Sequence, residues 1–399
     1  MALVQKQFGE LITFTRSSAG GRFNSAGVFE MVPANQPRFD YDPLTKSARG
    51  ILIEEARTNL TTQSNSPSTI SPTRAAYIET GQRFIDGLTP LRLLREDATP
   101  QSTHFGVTPN STLLANTTYT GSYFVKSSGR TKFALWVGAS GGWAPGNPQA
   151  TFDLASQTVV ERNEAKATLI KVTNDIYRVT LTAKTGANPL TSNIYPVLMN
   201  DAGDVTYDGD GVSGVFIGGY QVEAGAFATS YIPTVASQVT RTADIVSVKE
   251  LSPWYNPTEG TMYVDYVPGN IGLGSTCVGF YMSSENPAFD IITIRNGTSQ
   301  GTITGILVNS AGGRLDMVGA TGIPAGGRVK GVLAFKSGDG ALAVNGSKAI
   351  VTTPTGIPFP NRFDIGRATS AQQYANGYIR AIRYYPRRLT DTELEALTK

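Results

Sequence analysis

Few residues in this sequence could perform catalysis. The chain has one histidine, His104, and one cysteine, Cys277, so a histidine-rich metal site and an intrachain disulfide are both excluded. Ser140 lies in a Gly-x-Ser-x-Gly pattern at residues 138–142, the spacing of a serine nucleophile at a strand-to-helix turn. Here the pattern leads into a Gly- and Pro-rich stretch around Trp143 and not into a helix. We therefore interpret it as a turn and predict no catalytic residue.

Three acidic residues close together in the sequence could bind a calcium ion. Asp204, Asp208 and Asp210 would each supply a carboxylate oxygen, the kind of ligand that Ca²⁺ prefers. The closing Glu of an EF-hand is absent, and Asp-Gly pairs are also typical of tight turns. A tight turn is the favoured interpretation, with a calcium site as the alternative.

Glycoside hydrolysis would need two carboxyl groups that flank the scissile bond. Glu54 and Glu55 are adjacent, so they would point to opposite faces of a strand. Asp265 and Asp290 are isolated acids in the C-terminal part of the chain. The sequence therefore does not favour a polysaccharide-degrading enzyme.

Aromatic side chains are better candidates for ligand binding, because Trp and Tyr combine a flat apolar ring with a polar tip. Trp143 lies in a Gly/Pro loop, where we expect few neighbours to bury it. Trp136 is expected on the face of its strand opposite to Phe133, and Trp254 and Tyr255 precede a later strand. For each residue the alternative is packing in a core or between domains; packing is the favoured interpretation for Trp136 and Trp254, and the two interpretations are balanced for Trp143. We predict these four Trp and Tyr residues as ligand-binding candidates.

The elements that would position these residues are predicted to be strands. Glycine (43 residues) and proline (22) are frequent and charged residues make up only 16%, a balance typical of many strands joined by tight turns. Residues 177–184 alternate apolar and polar side chains, as a half-buried strand does. With similar strands at 119–125 and 133–137, the pattern predicts a jelly-roll β-sandwich.

We predict an all-β chain in three parts. A short, loop-rich segment at 1–60 precedes one β-sandwich at 61–240 and a second at 241–399. The N-terminal segment is too small to build its own core, so it should pack on the next domain or on a partner subunit. In the second sandwich, Asn345-Gly346 is a strong hairpin signal. Thr390 and Glu393 form a capping box that predicts a short C-terminal helix.

The bulk properties argue against two classes of partner. The formal net charge of +3 is small and evenly spread, which argues against nucleic acid. No apolar run approaches the roughly 20 residues of a membrane-spanning helix, and residues 1–6 lack the pattern of a signal peptide. We therefore expect a protein that folds in a cytoplasm, without membrane insertion.

Two sequence runs resemble segments of tailed-bacteriophage virion surface proteins. Residues 38–43 (RFDYDP) and 50–60 (GILIEEARTNL) are similar to the opening of those proteins, and residues 221–234 (QVEAGAFATSYIPT) resemble a strand and tail that recur in them. The first sandwich resembles carbohydrate-binding modules, and the closing strands near 363–385 resemble concanavalin-like and laminin-G-like jelly rolls. The resemblance implies a tail-fibre-like or decoration-like protein at the virion surface.

The resemblance leaves three functions open. First, the chain would be a non-enzymatic tail fibre or receptor-binding protein, assembled in the host cytoplasm. Residues 1–60 would attach it to other virion proteins, and its sandwiches would bind bacterial surface polysaccharide. Second, it would be a capsid decoration or head-fibre protein that stabilises the shell. Third, and least favoured, it would be a polysaccharide depolymerase. A homo-oligomer such as a trimer would suit the small N-terminal segment.

Overall fold

The regular secondary structure of the chain is almost entirely antiparallel strand in the computed structural model, which confirms the predicted all-β fold class. The structure describes residues 8–64, 70–138, 141–248, 250–269, 276–286, 288–296, 301–311, 313–324, 326–368 and 373–399. The N-terminal part contains α1 (Phe8–Leu11), β1 (Ile12–Thr15), β2 (Gly20–Phe23), β3 (Phe29–Val32), β4 (Phe39–Tyr41), β5 (Ala48–Ile53) and β6 (Arg57–Asn59).

The middle of the chain contributes a second series of strands. They are β7 (Ser71–Thr73), β8 (Ala75–Arg83), β9 (Pro90–Glu96), β10 (Phe105–Val107), β11 (Ser111–Leu113), β12 (Thr118–Ser128), β13 (Lys132–Val137), β14 (Trp143–Ala144), β15 (Gln149–Asp153), β16 (Thr158–Arg162), β17 (Lys166–Lys171), β18 (Tyr177–Thr185), β19 (Leu190–Ser192), β20 (Ile194–Leu198), β21 (Gly214–Ala224) and β22 (Val239–Arg241).

The C-terminal part completes the set. It contains β23 (Ile245–Val248), β24 (Glu259–Val267), β25 (Val278–Ser283), β26 (Ile291–Asn296), β27 (Ile303–Val308), β28 (Arg314–Ala320), β29 (Val329–Lys336), β30 (Gly340–Val344), β31 (Ile350–Thr352), β32 (Arg362–Ile365), β33 (Arg367–Ala368), β34 (Gln373–Tyr374), β35 (Gly377–Tyr385) and α2 (Asp391–Thr398).

Two sheets enclose a core in the middle of the chain. One has the order β16-β15-β13-β20-β10-β7, and the other has the order β14-β18-β12-β21-β9-β8, with β17 also paired to β18. Phe133 and Leu135 of β13 point into this core, where they meet Val179 and Leu181 of β18. The period-2 alternation of these strands places their apolar residues on one face.

Two further sheets enclose the C-terminal core, and strands from the N-terminal segment take part in both. Their orders are β1-β23-β32-β25-β26-β27-β28 and β31-β30-β29-β24-β35-β5-β4. Ile12 pairs with Val248, and Ile51 pairs with Ile379. Ile51 belongs to the same buried cluster as Phe280. Residues 12–15 and 39–53 thus complete sheets formed by the end of the chain. The predicted boundaries at 60 and 240, and the attachment role of residues 1–60, stay predictions.

The C-terminal helix has the predicted capping box. The Thr390 hydroxyl accepts from the Glu393 amide (3.3 Å), and the Glu393 carboxylate accepts from the Thr390 amide (2.7 Å). Leu394 is fully buried in a small cluster with side chains of β29 and β30. The helix therefore packs on the outer face of the C-terminal sheet that contains β29 and β30.

The two runs that resemble phage proteins meet in a buried group of charges. Arg38, from the first run, forms ion pairs with Glu54 (2.8 Å) and with Asp244. Ser230, from the second run, donates from its amide and its hydroxyl to the Glu54 carboxylate, at 2.7 Å each. Every charged side chain of the group is at most 6% exposed. We call this group the junction cluster; it comprises Arg16, Arg38, Glu54, Arg241 and Asp244.

The side-chain amide of Asn59, at the end of the first run, binds the backbone around the second run. Its Nδ2 donates to the carbonyls of Tyr220 (3.3 Å) and Ile232 (2.9 Å), and its Oδ1 accepts from the Val222 amide (3.2 Å). These bonds fasten the segment after β21 back onto that strand. The polar residues of both runs therefore bind one another, which accounts for several of their residue types.

Candidate functional site

Trp143 is buried, contrary to the expectation that its loop would leave it with few neighbours. Its side chain is only 3% exposed, because Trp143 and Ala144 pair with β18 and the ring enters the core of the middle sheets. The indole Nε1 donates to the Gly138 carbonyl (3.0 Å) and lies 3.1 Å from the Ser192 hydroxyl. In this position the ring contributes to packing. The neighbouring Ser140 lies outside the described residues.

Trp254 and Tyr255 are half-buried at the edge of the C-terminal core. The Trp254 ring packs edge-on against Tyr384, with centroids 5.2 Å apart, and its Nε1 donates to the Glu250 carbonyl (3.0 Å). Tyr255 stacks on Tyr384 (5.7 Å) and on Phe335 (6.3 Å). Burial raises the pKa of the Tyr255 phenol. The arrangement resembles the rim of a core more than a free surface.

The three candidate calcium ligands all accept hydrogen bonds from protein donors, Asp204 and Asp210 within local turns and Asp208 from a residue distant in the sequence. Asp208 accepts two hydrogen bonds from Gln101, from the backbone amide (2.7 Å) and from the side chain (2.9 Å). Asp204 accepts from the Asn200 side chain (3.0 Å). Asp210 accepts from the amides of residues 212 and 213, at 2.7 Å each. Among the described residues, no group of three or more His, Cys, Asp or Glu side chains is arranged to hold a metal ion.

His104 is fully buried; its Nδ1 and its ring contact neighbouring groups, and its Nε2 has no hydrogen-bond partner among the described residues. Its Nδ1 lies 2.5 Å from the Arg74 carbonyl, and its ring packs against Tyr207 with centroids 4.8 Å apart. These contacts give the histidine a structural role in the sheet. The described residues offer no serine in contact with its ring nitrogens.

Trp136 lies on the outer face of a middle sheet, as the alternation of its strand predicts. Phe133 and Leu135 face the core, whereas Trp136 faces the other way. It is directly opposite Tyr195 of β20. Phe105 of β10 lies on the same face, opposite Val197. We call the three rings of Phe105, Trp136 and Tyr195 the aromatic platform.

The rings of the aromatic platform contact one another and remain half-buried. Tyr195 lies between the other two, with its centroid 6.4 Å from Trp136 and 5.6 Å from Phe105. Burial raises the pKa of the Tyr195 phenol. The Trp136 Nε1 is shielded from solvent and has no hydrogen-bond partner among the described residues. A ligand would therefore contact the exposed parts of the three rings and not this N–H.

Polar side chains extend the platform along the same row of the sheet. Gln149 is opposite Trp136, and Arg162 is opposite Gln149 on the edge strand. Because residues paired across antiparallel strands share a face, these two side chains flank the rings. The row thus combines flat apolar surface with amide and guanidinium donors. Such a surface can stack against the apolar face of a sugar ring and hydrogen-bond its hydroxyls.

The sequence predicted only one of the three platform rings. Tyr195 and Phe105 were not among the candidates, although the alternation in β20 would have placed Tyr195 opposite to the inward-facing Ile194. The sequence alone did not indicate that β13 pairs with β20, because the paired residues lie about 60 positions apart. Only that pairing brings Trp136 and Tyr195 together.

The solved structures named below are similar to this chain at low sequence identity and low TM-score. No protein-family model matches the sequence, and no curated protein matches it. The CBM40 of Ruminococcus gnavus IT-sialidase, solved bound to α2,3-sialyllactose, is 14% identical; the match covers 36% of this chain and 84% of that one, with a TM-score of 0.31.

Two other solved structures are similar at the same level. The heptameric SAP-like pentraxin of Limulus polyphemus is 16% identical, with 35% of this chain and 70% of that one covered and a TM-score of 0.29. Domains LG4-5 of the mouse laminin α1 chain are 10% identical, with 71% and 88% covered and a TM-score of 0.26. At these TM-scores the similarities assign neither a ligand nor an activity to this chain.

Neither helix of the described residues has the length and the apolar composition that a membrane-spanning helix needs.

Proposed function

We propose that this chain is a non-enzymatic adhesion protein that binds a bacterial surface polysaccharide through the aromatic platform. The observation that carries the proposal is the row of three half-buried rings, Phe105, Trp136 and Tyr195, in mutual contact on the outer face of a sheet. Trp and Tyr rings suit the flat, apolar faces of sugars, and their polar atoms orient the ligand. Gln149 and Arg162 would supply hydrogen bonds to hydroxyl groups beside the rings.

We further propose that the protein acts at the surface of a tailed-bacteriophage particle, as a tail fibre or receptor-binding protein. The support is the resemblance of residues 38–43, 50–60 and 221–234 to virion proteins. Arg38 and Glu54 of the first two runs belong to the junction cluster, and Ser230 of the third run donates to Glu54, so the runs contact one another in this chain. Contact with other virion proteins through residues 1–60 and a homo-oligomeric state belong to this proposal. Immunogold labelling of particles would test it, and label confined to the capsid would favour a decoration protein instead.

Binding of the fluorescently labelled protein to host bacteria tests the adhesion function. Cells that carry surface polysaccharide should bind the protein, and isogenic cells without it should not. Equal binding to both cell types, or binding to neither, would contradict the proposal. Release of reducing ends from the polysaccharide would show an enzyme instead.

A further inference from the structure

Four cationic side chains lie on the outer face of the C-terminal sheet that contains β24, β29 and β35. Lys330 of β29 is directly opposite Asp265 of β24. Arg383 of β35 is directly opposite Tyr263, which lies two residues before Asp265 on the same strand. Residues paired across antiparallel strands share a face, as do residues two apart along a strand, so Lys330 and Arg383 point to the same side of the sheet. Tyr263 belongs to the same buried cluster as Leu394 of α2, so this is the side that the helix partly covers.

Contacts place Arg328 and Arg380 on this face as well. Arg328 donates to both oxygens of the Asp265 carboxylate, at 2.8 Å and 2.5 Å, and Arg380 Nε lies 3.9 Å from the same carboxylate. The Arg383 guanidinium lies 5.1 Å from the centroid of the Tyr263 ring. We call this group the basic strip; it comprises Arg328, Lys330, Arg380 and Arg383.

The basic strip has more positive charge than its neighbours compensate. Asp265 is the one described carboxylate that forms an ion pair with a member of the strip. Lys330 donates to the backbone oxygen of Lys399, and Arg383 forms no ion pair within the described part of the chain. The three arginines are exposed and Lys330 is half-buried. Even without Lys330, three accessible guanidinium groups therefore share a single carboxylate, and the strip attracts anions.

The basic strip offers no apolar anchor to a partner. Tyr263 and Val332, which lie between the cations on the sheet, are buried, and β24, β29 and β35 contain none of the exposed large apolar side chains of the described residues. Protein–protein interfaces are usually centred on apolar or aromatic anchors that lose their water on binding. An open surface of guanidinium groups therefore suits a hydrated anion better than the surface of another protein.

The cations of the basic strip are spread along the strands. Tyr263 and Asp265 are two residues apart on β24, so the charges opposite them, Arg383 and Lys330, lie about 7 Å apart in the strand direction. Arg328 precedes β29 and extends the strip further in the same direction, beyond Lys330. This spread favours a polymer with repeated negative charges over a single small anion.

We propose that the basic strip binds an acidic polysaccharide, with carboxylate groups of the chain at Arg380 and Arg383. A guanidinium binds a carboxylate through a charge-assisted, two-pronged contact, and these two arginines are not committed to Asp265 as Arg328 is. The strip lies on a different sheet from the aromatic platform. The choice of a sugar polymer rests on the proposed function; the requirement for repeated negative charge rests on the strip alone.

Binding of the full chain to polygalacturonate and to its fully methyl-esterified form tests the inference, because the two polymers share a backbone and differ in charge. At about 50 mM NaCl, polygalacturonate should bind at least tenfold more tightly than the ester, and about 500 mM NaCl should remove most of the difference, since salt screens exposed charges. Equal binding of both polymers, or no binding of polygalacturonate, would overturn the proposal. Tighter binding of polyglutamate or of single-stranded DNA would overturn the assignment to a polysaccharide.

A pair of double variants assigns this binding to the basic strip. Arg380→Gln/Arg383→Gln should bind polygalacturonate at least tenfold more weakly than the wild type, and it should fold because both side chains are exposed. Lys166→Gln/Arg314→Gln removes the same charge at two exposed ion pairs elsewhere and should bind normally. Equal losses in the two variants would reveal an effect of net charge alone and would overturn the proposal, as would unchanged binding in the first.

Trp136→Ala separates the basic strip from the aromatic platform. This variant should lose affinity for the host polysaccharide but keep the preference for polygalacturonate over its methyl ester. A wild-type chain that binds host polysaccharide and shows no such preference would contradict the strip and leave the platform standing. Loss of the preference in Trp136→Ala would place the anion at the platform and overturn the assignment to the strip.

Discussion

Arg38 and Asp244, 206 positions apart in the sequence, form an ion pair with no exposed side-chain surface. Asp244 also accepts from Arg16 (3.0 Å) and from the Glu54 amide (3.0 Å). Its carboxylate therefore connects the N-terminal segment to the strand that opens the C-terminal sheets. Buried ion pairs add little net stability over apolar packing, but the loss of one partner leaves an uncompensated charge. The junction cluster is thus a place where single substitutions should be costly.

Replacing Arg38 with methionine should lower the free energy of unfolding by about 3–5 kcal/mol, the usual cost of breaking a buried pair. Glu54 and Asp244 would lose their shared partner in the junction cluster. Urea denaturation followed by tryptophan fluorescence would measure the change. Arg314→Met, which breaks the exposed pair with Asp316, is the control and should change stability by less than about 0.5 kcal/mol. Equal, small effects of both substitutions would contradict a structural role for the cluster.

The junction cluster should also make stability depend on acid pH. Burial alone would raise the pKa of Glu54, but Arg241, Arg38 and hydrogen bonds from Ser230 lower it to about 2. In the unfolded chain the pKa of a Glu is about 4.3. Since the folded pKa is the lower one, Glu54 stabilises the fold above the unfolded value, and this contribution is lost as the pH falls toward 2.

The expected contribution of Glu54 at neutral pH is on the order of 3 kcal/mol. Thermal unfolding between pH 7 and pH 2 would show a decline that begins near the unfolded pKa, and Glu54→Gln would flatten it. Because the pair is buried, the decline should persist in about 1 M NaCl, which screens exposed pairs. Parallel curves for the wild type and Glu54→Gln would show that another group is responsible.

Substitution of Trp143 should affect folding and not ligand binding. Trp143→Ala would open a cavity in the middle core and lower the free energy of unfolding by about 3–5 kcal/mol. Trp143→Phe should cost less, about 1–3 kcal/mol, because it mainly removes the Nε1 donor to Gly138. Denaturant unfolding gives both numbers. A Trp143→Ala protein with wild-type stability but weaker polysaccharide binding would contradict this placement.

Calcium should leave the protein unchanged. The oxygens of Asp204 and Asp210 accept hydrogen bonds within their own turns, Asp208 accepts from Gln101, and the described residues do not bring the three together as a metal site. Adding about 10 mM CaCl₂, above the dissociation constants of weak calcium sites, should therefore not shift the thermal midpoint relative to EDTA. A rise in the midpoint that Asp208→Asn abolishes would establish the calcium site that the sequence left open.

Local patterns predicted the strands and several details correctly. The alternation in residues 133–137 gave the correct faces for Phe133 and Trp136, and the capping box at Thr390 gave the C-terminal helix. Asn345 and Gly346 both adopt positive φ after β30, as an Asn-Gly hairpin turn requires. Each of these features depends on neighbours within a few positions, so the sequence contains the necessary signal.

Features that depend on pairing between residues far apart in the chain could not be predicted from the sequence. Nothing near Trp143 indicates that its loop returns to β18 and meets Ser192, about 50 positions later. The addition of β5 to the last strand of the chain, through Ile51 and Ile379, is equally invisible to local patterns. The aromatic platform was missed for the same reason, because Tyr195 meets Trp136 only through a cross-strand pair.

The affinity of the Trp136→Ala variant for purified host surface polysaccharide tests the central claim most directly. Phe359, an apolar ring that is 62% exposed elsewhere on the surface, provides the matched control in Phe359→Ala. We predict that Trp136→Ala binds at least tenfold more weakly than the wild type, as removal of a central aromatic contact does, and that Phe359→Ala binds normally. Both variants should keep the wild-type circular dichroism spectrum. Wild-type affinity in a correctly folded Trp136→Ala protein would contradict the account.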